Sequence, residues 1–156
     1  MKTELLKRLT LLEASNKEIK ASLQTVLRKL NTMENDSKPT VVKPVQYVIL
    51  RTDLVKSWPT GAYVAQACHA STAALLKFYD DKNTQIYASD LENMTKITLG
   101  IKSEEKLKNL SKKLTDEGID HHLWNEQPEN YPTALATKPY LKKDVEVYFK
   151  KFNLLK

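Results

Sequence analysis

The segment from Gln46 to Leu76 limits the folds open to this chain more than any other. Val45 to Arg51 is apolar on both faces apart from Gln46, the reading of a strand covered on both sides. A short loop carrying Pro59 follows, and then GAYVAQACHASTAALL, which predicts a helix from about Gly61 to Tyr79. A buried strand that runs at once into a helix belongs to an α/β architecture. Gln66 and His69 lie three residues apart on one helix face, near the end that looks on to the loop after the strand, where α/β folds usually hold their chemistry. Strand, loop and helix make one candidate site.

The pattern downstream continues in the same style. Asp80-Asp81-Lys82-Asn83 ends the helix, and Ile86 to Met94 reads as a second, shorter one. Lys96 to Lys102 alternates, with Ile97, Leu99 and Ile101 on one face, and predicts a half-buried strand. Ser103 then caps a helix with Glu104 and Glu105 in its first turn, Leu107, Leu110 and Leu114 along its face and Gly118 as its stop. His121 to Glu126 and Thr133 to Lys138 read as strands joined by the loop Gln127 to Pro132, and Leu141 to Phe152 as a last helix burying Val145, Tyr148, Phe149 and Phe152.

Residues 1–35 follow a different rule. Leu5, Leu9, Leu12, Ile19, Leu23, Val26, Leu30 and Met33 are spaced alternately four and three, with Asn16 filling the one gap. That heptad predicts a long coiled-coil-like helix, with Leu9, Asn16, Leu23 and Leu30 at one seam position. The expectation is a homo-oligomer through residues 1–35; the alternative is an amphipathic helix packed on its own domain. Residues 36–44, with Pro39 and Pro44, read as a linker, and residues 45–156 as one domain of ordinary size.

Charge and cysteine usage narrow the classes of function. The net charge of +6 is uneven, because residues 1–44 carry nine basic and five acidic side chains and residues 45–156 carry sixteen and fourteen. The domain is nearly balanced, so any contact with RNA must be a local patch. The last helix is one basic stretch, through Lys142, Lys143, Lys150 and Lys151, and a solvated face explains it equally well. Cys68 is the single cysteine; in its Ala-rich run it reads as a small buried core residue, and it cannot meet the adjacent His69 on a helix. No apolar run reaches the roughly 18 residues of a membrane span, and the start lacks a signal region, so a soluble cytoplasmic protein without a membrane is expected. His121 and His122 are adjacent on a strand and point to opposite faces, and the three glycines form no phosphate-cradling loop. Neither a metal nor a cofactor is expected.

What remains is Asp53, Gln66 and His69, with the acidic loop around Glu126. Hydrolysing an ester needs an activated water and a donor for the oxyanion; His69 can supply the first and Gln66 the second. Gln66 and His69 can equally well do no more than satisfy buried polar groups. Trp58 and Tyr63 at the helix entrance can stack on a terminal base or form a hydrophobic staple, and Lys56 lies in the preceding loop.

The string RTDL at 51–54, followed by GAYVAQACHA at 61–70, resembles the archaeal and eukaryotic (second) type of peptidyl-tRNA hydrolase, with its R-x-D-L strand end and G-K-x-A-A-Q-x-x-H-A helix. Ser57-Trp58-Pro59 and Leu123 to Asn130 are similar to the divergent branch called peptidyl-tRNA hydrolase domain-containing protein. The resemblance covers about residues 45–156. It implies a compact mixed four-stranded sheet with helices on both faces, and hydrolysis of peptidyl-tRNA or aminoacyl-tRNA without a cofactor. It also implies a lysine after the first glycine, where this chain has Ala62, and an Asp-Ala-Gly segment, replaced here by Asn125 to Asn130. Glu126 stands nearest the missing aspartate, and Thr133 falls where the family has a threonine. Two readings stay open: a tRNA-ester hydrolase, or a catalytically weak relative that binds tRNA, another RNA or a protein.

Overall fold

The computed structural model describes Thr3, Lys7 and residues 15–29, 42–128 and 130–155. The chain divides into two units, residues 1–41 and 42–156.

The apolar run forms strand β1, Val45–Arg51, buried in six of its seven residues. Side chains alternate along a strand, so Tyr47 and Ile49 enter one core cluster while Val48 and Leu50 enter another. Strands β2 (Thr95–Ile101), β3 (His121–Glu126) and β4 (Tyr131–Thr137) complete a four-stranded mixed sheet of order β2-β1-β4-β3. β1 runs parallel to β2 and antiparallel to β4, and β3 and β4 form an antiparallel pair. Helix α1 (Thr60–Lys77) lies on the Val48 face, where Ala70 and Ala74 meet Ala134 and Ala136 of β4. Small residues on both partners let helix and sheet approach closely. Helices α3 (Glu104–Asp116) and α4 (Lys142–Phe149) cover the other face, with Leu107, Leu110, Leu114, Val145 and Phe149 against Tyr47 and Ile49. Helices on both faces are thus observed as expected.

Gln46, the polar interruption in β1, is fully buried because every part of its amide is occupied. Its Nε2 donates to the carbonyls of Ser71 (3.1 Å) and Thr137 (3.0 Å), and its Oε1 accepts from Ser71 Oγ at 2.7 Å. An apolar residue there would leave those partners short of bonds.

Several boundaries differ from the pattern reading. Asp81 does not end a helix but starts one: its carboxylate accepts from the amides of Asn83 and Thr84, opening α2 at Lys82–Ser89, and Leu91–Asn93 is a separate 3-10 turn. Pro132 belongs to β4, where its missing N–H costs nothing at the bulged edge of the hairpin between Trp124 and Asn125. The last helix stops at Phe149, leaving Tyr148 and Phe152 half-buried. Cys68 is exposed, because Gln66 and Ala70 take the inward positions on that turn of α1. The cap of α3 is as expected: Ser103 Oγ accepts from the Lys106 amide at 3.3 Å, and Gly118 ends the turn at a φ of +69°. Past α4, residues 153–155 lie along β2, with Gly100 N donating to Asn153 O, Leu155 N donating to Thr98 O, and Leu99 bridged to Leu154.

In the first unit, residues 15–29 are helical, and Ile19, Leu23, Val26 and Leu27 are more than half exposed. The heptad positions Leu5, Leu9, Leu12, Leu30 and Met33 lie outside the described residues.

Candidate functional site

The site forms where β1 ends, α1 begins and the β3–β4 hairpin turns. Arg51, the last residue of β1, is buried and holds these parts together. Its guanidinium donates to both carboxylate oxygens of Asp53 (3.2 and 2.6 Å), to Glu104 Oε2 at the start of α3 (3.1 Å) and to the Pro132 carbonyl (2.9 Å). It also bonds the Tyr131 hydroxyl at 2.5 Å. Five donors in a fixed fork suit such a hub better than a lysine would. The Arg51 bond holds the Asp53 carboxyl below its usual range, so Asp53 is an ionised counter-ion here.

α1 starts at Thr60 with no side chain capping its first amides and no acidic residue in its first turn. The positive end of the helix is therefore left open to an anion. Gly61 and Ala62 on this turn are exposed, and Lys56 in the preceding loop is exposed as well. One turn further, the Gln66 side chain is almost wholly buried. Its Nε2 donates to the Ala62 carbonyl at 3.1 Å, and its Oε1 accepts from Thr133 Oγ1 of β4 at 2.7 Å. Tyr63 is buried beside it at 8% exposure, and its hydroxyl has no partner. Burial, with the Asp53 charge adding to it, raises the Tyr63 phenol's pKa.

His69 stands on the rim. It is exposed, and its ring stacks on Trp124 with centroids 4.7 Å apart and planes 19° apart. Trp124 Nε1 donates to Glu126 Oε2 at 3.0 Å, since residues two apart share a strand face. Glu126 then lines an open cavity of about 650 Å³ with Leu54, Ser57, Trp58, Gln127 and Tyr131. Trp58 and Tyr131 face each other there, 6.5 Å apart.

The structure thus gathers Gln66 and Thr133 in one hydrogen bond, and His69 and Glu126 on one rim through Trp124. It ties Asp53 to Arg51, and it places Tyr63 inside rather than at the surface, with Trp58 in the cavity wall. Among the described residues no three His, Cys, Asp or Glu side chains converge to hold a metal, and no helix is long and apolar enough to cross a membrane.

Residues 44–155 match the family model for the peptidyl-tRNA hydrolase PTH2. The chain belongs to the PTH2 family. A relative from Mus musculus named "Putative peptidyl-tRNA hydrolase PTRHD1" is 50% identical over 115 residues, 72% of this chain and 82% of its own length. The Homo sapiens protein of the same name is 46% identical over 134 residues, 84% of this chain and 93% of its own. The Dictyostelium discoideum "Probable peptidyl-tRNA hydrolase 2" is 31% identical over 114 residues, 70% of this chain and 53% of its own.

In this PTH2 domain, three residues that build the site had no role assigned from the sequence: Arg51, Trp124 and Tyr131. A charge closing an otherwise apolar central strand is the signal that marks Arg51, because such a charge must find buried partners. Trp124 and Tyr131 flank the hairpin turn, and only the pairing of β3 with β4 brings them to the rim.

Proposed function

We propose that this chain hydrolyses the ester that links a peptide or amino acid to the terminal ribose of tRNA, acting in the cytoplasm where translation produces such esters. Water adds to the ester carbonyl, the bond to the ribose oxygen breaks, and a free acid and a tRNA hydroxyl result. His69 takes the proton of the attacking water and returns it to the leaving ribose oxygen. The uncapped amides of α1 stabilise the oxyanion, and Gln66, its carboxamide fixed by Thr133 and bonded to the Ala62 carbonyl, holds that first turn in place. The cavity beside Trp58 and Glu126 takes the terminal base, and Lys56 meets its phosphate; Asp53 and Tyr63 support the site from behind. The match over residues 44–155 carries this reading.

The test is the purified full chain with peptidyl-tRNA. Turnover well above buffer, falling by about 10²- to 10⁴-fold in His69→Ala, is the expected result. A wild-type rate equal to that of His69→Ala would favour a second reading, a module that binds tRNA without turnover. One point speaks for that reading: Ala62 presents a methyl on the exposed first turn of α1, where the motif that the helix resembles implies a lysine.

A further inference from the structure

A second cavity, of about 530 Å³, lies on the opposite face of the sheet, between α3, the end of β2 and the segment after α4. Four lysines line it, Lys102, Lys106, Lys113 and Lys151, and among the described residues no carboxylate does. Three neighbouring lysines outside the cavity are paired instead. Lys108 and Lys112, on the same α3, are bonded to Glu104 and Asp116 one turn away, and Lys150 is bonded to Glu146. Among the described residues none of the four lysines of the cavity has an ion-pair partner. The Lys113 ammonium lies 5.6 Å from the centre of the Tyr148 ring and that of Lys151 5.2 Å from the Phe152 ring, weak cation–π contacts that supply no opposite charge.

The geometry of the groove follows from the helix. Lys106, Asn109, Leu110 and Lys113 recur at three- and four-residue steps, so they form one stripe, and Lys106 and Lys113 stand about 10 Å apart along the axis. Ile101, Leu110 and Phe152 make an apolar floor between them, and Asn109 and Asn153 add neutral hydrogen-bonding groups. Four like charges held around one groove raise each other's energy, and an extended polyanion with several negative groups relieves all of them together. The groove opens at the end of β2, and the candidate site at the end of β1. Those two strands are parallel and in register there, Arg51 beside Ile101, so both openings share one edge of the sheet.

We infer that this groove binds the phosphodiester backbone of tRNA, as a surface separate from the ester site that anchors the body of the substrate. The choice of RNA over an acidic protein rests on the reading under Proposed function.

The experiment measures binding of deacylated tRNA by the full chain across a range of salt, so that no ester chemistry enters. The variant Lys102→Gln, Lys106→Gln, Lys113→Gln, Lys151→Gln is compared with Lys108→Gln, Lys112→Gln, which removes charge from the same helix outside the groove. Unchanged circular dichroism and unfolding midpoints check that both fold. The groove variant is expected to bind at least tenfold more weakly at about 0.1 M salt, with the slope of log K against log salt shallower by about 3 for four lost contacts at roughly 0.7 to 0.9 each. The control pair is expected to stay within twofold of wild type. Wild-type affinity in the groove variant, or an equal loss in the control pair, overturns the inference. So does a groove that binds polyglutamate as tightly as tRNA, which would make it a site for acidic proteins. Hydrolysis of a short aminoacyl-ester substrate separates the two readings. Groove-dependent tRNA binding without any hydrolysis would remove the proposed activity and leave the groove standing, whereas hydrolysis with groove-independent binding would do the reverse.

Discussion

Thr133 and Gln66 share a hydrogen bond between two side chains that are each 1% exposed. Thr133→Val keeps the shape and removes the donor, leaving the Gln66 oxygen unpaired in a place that water does not reach. Such a loss costs about 1–3 kcal/mol. Urea unfolding is expected to show a fall in that range with an unchanged m-value, while Thr133→Ser recovers most of it; a valine variant as stable as wild type would mean that the bond contributes nothing. Ala62 poses the opposite question, since its side chain is exposed and replacing it disturbs no packing. Ala62→Lys places a cation at the open end of α1, where it can meet phosphate or the oxyanion, and is expected to raise peptidyl-tRNA hydrolysis about tenfold, the equivalent of roughly 1.4 kcal/mol. An unchanged rate in a folded variant would show that the site works without a cation there.

At the scale of elements, α3 and β3 are joined by a side-chain contact that depends on protonation. His121 Nδ1 lies 2.7 Å from the Ile119 carbonyl, which can only accept, so Nδ1 carries the proton and Nε2, 2.8 Å from Ser111 Oγ, accepts from the hydroxyl. Burial lowers the pKa of His121, with Lys77 adding to it against the Ile119 bond, and burial and Lys77 lower that of His122. In the unfolded chain both titrate near 6.5. As the pH drops below that value the unfolded chain takes up protons that the folded chain refuses, so this stability is complete above about pH 6.5 and is lost as the pH falls toward the folded pKa. Unfolding free energies at about pH 7.5 and pH 5.5 are expected to differ, and His121→Asn to narrow the difference. A pH dependence untouched by that change would assign it to other groups.

The elements themselves were legible where one local cause fixes them: Ser103 and Gly118 bound α3, and the double-sided apolar run bounds β1. Asp81 was misread because an aspartate between two helices can stop the first or cap the second, and the choice depends on where the chain packs next. Of the candidate site, Gln66 and His69 were singled out by residue type and spacing and Thr133 only by the family resemblance, whereas the contact between His69 and Trp124 was not foreseen. It joins positions 55 residues apart in sequence and exists only because β3 pairs with β4 beside α1. Burial of Tyr63 was equally invisible, since an aromatic in the first turn of a helix can face either way.

For the molecule as a whole, the first unit raises the question of assembly. Ile19, Leu23, Val26 and Leu27 present apolar side chains from one helical segment, and Asn16 lies one turn before them. Sedimentation of the full chain is expected to give a mass above that of one copy, and Ile19→Glu with Val26→Glu to return it to 17.9 kDa. An assembly that survives those changes would have its contact in the other unit. In that unit one border of the sheet, at β2, is closed from within the chain. A sheet ends in strands whose outer amides and carbonyls seek partners, and here residues 153–155 already occupy the free side of β2. Those few residues serve the fold as a selvedge serves cloth: they finish an edge that would otherwise go on being woven. Anyone who trims this chain past Phe152 is therefore unpicking the finished border of the sheet at β2.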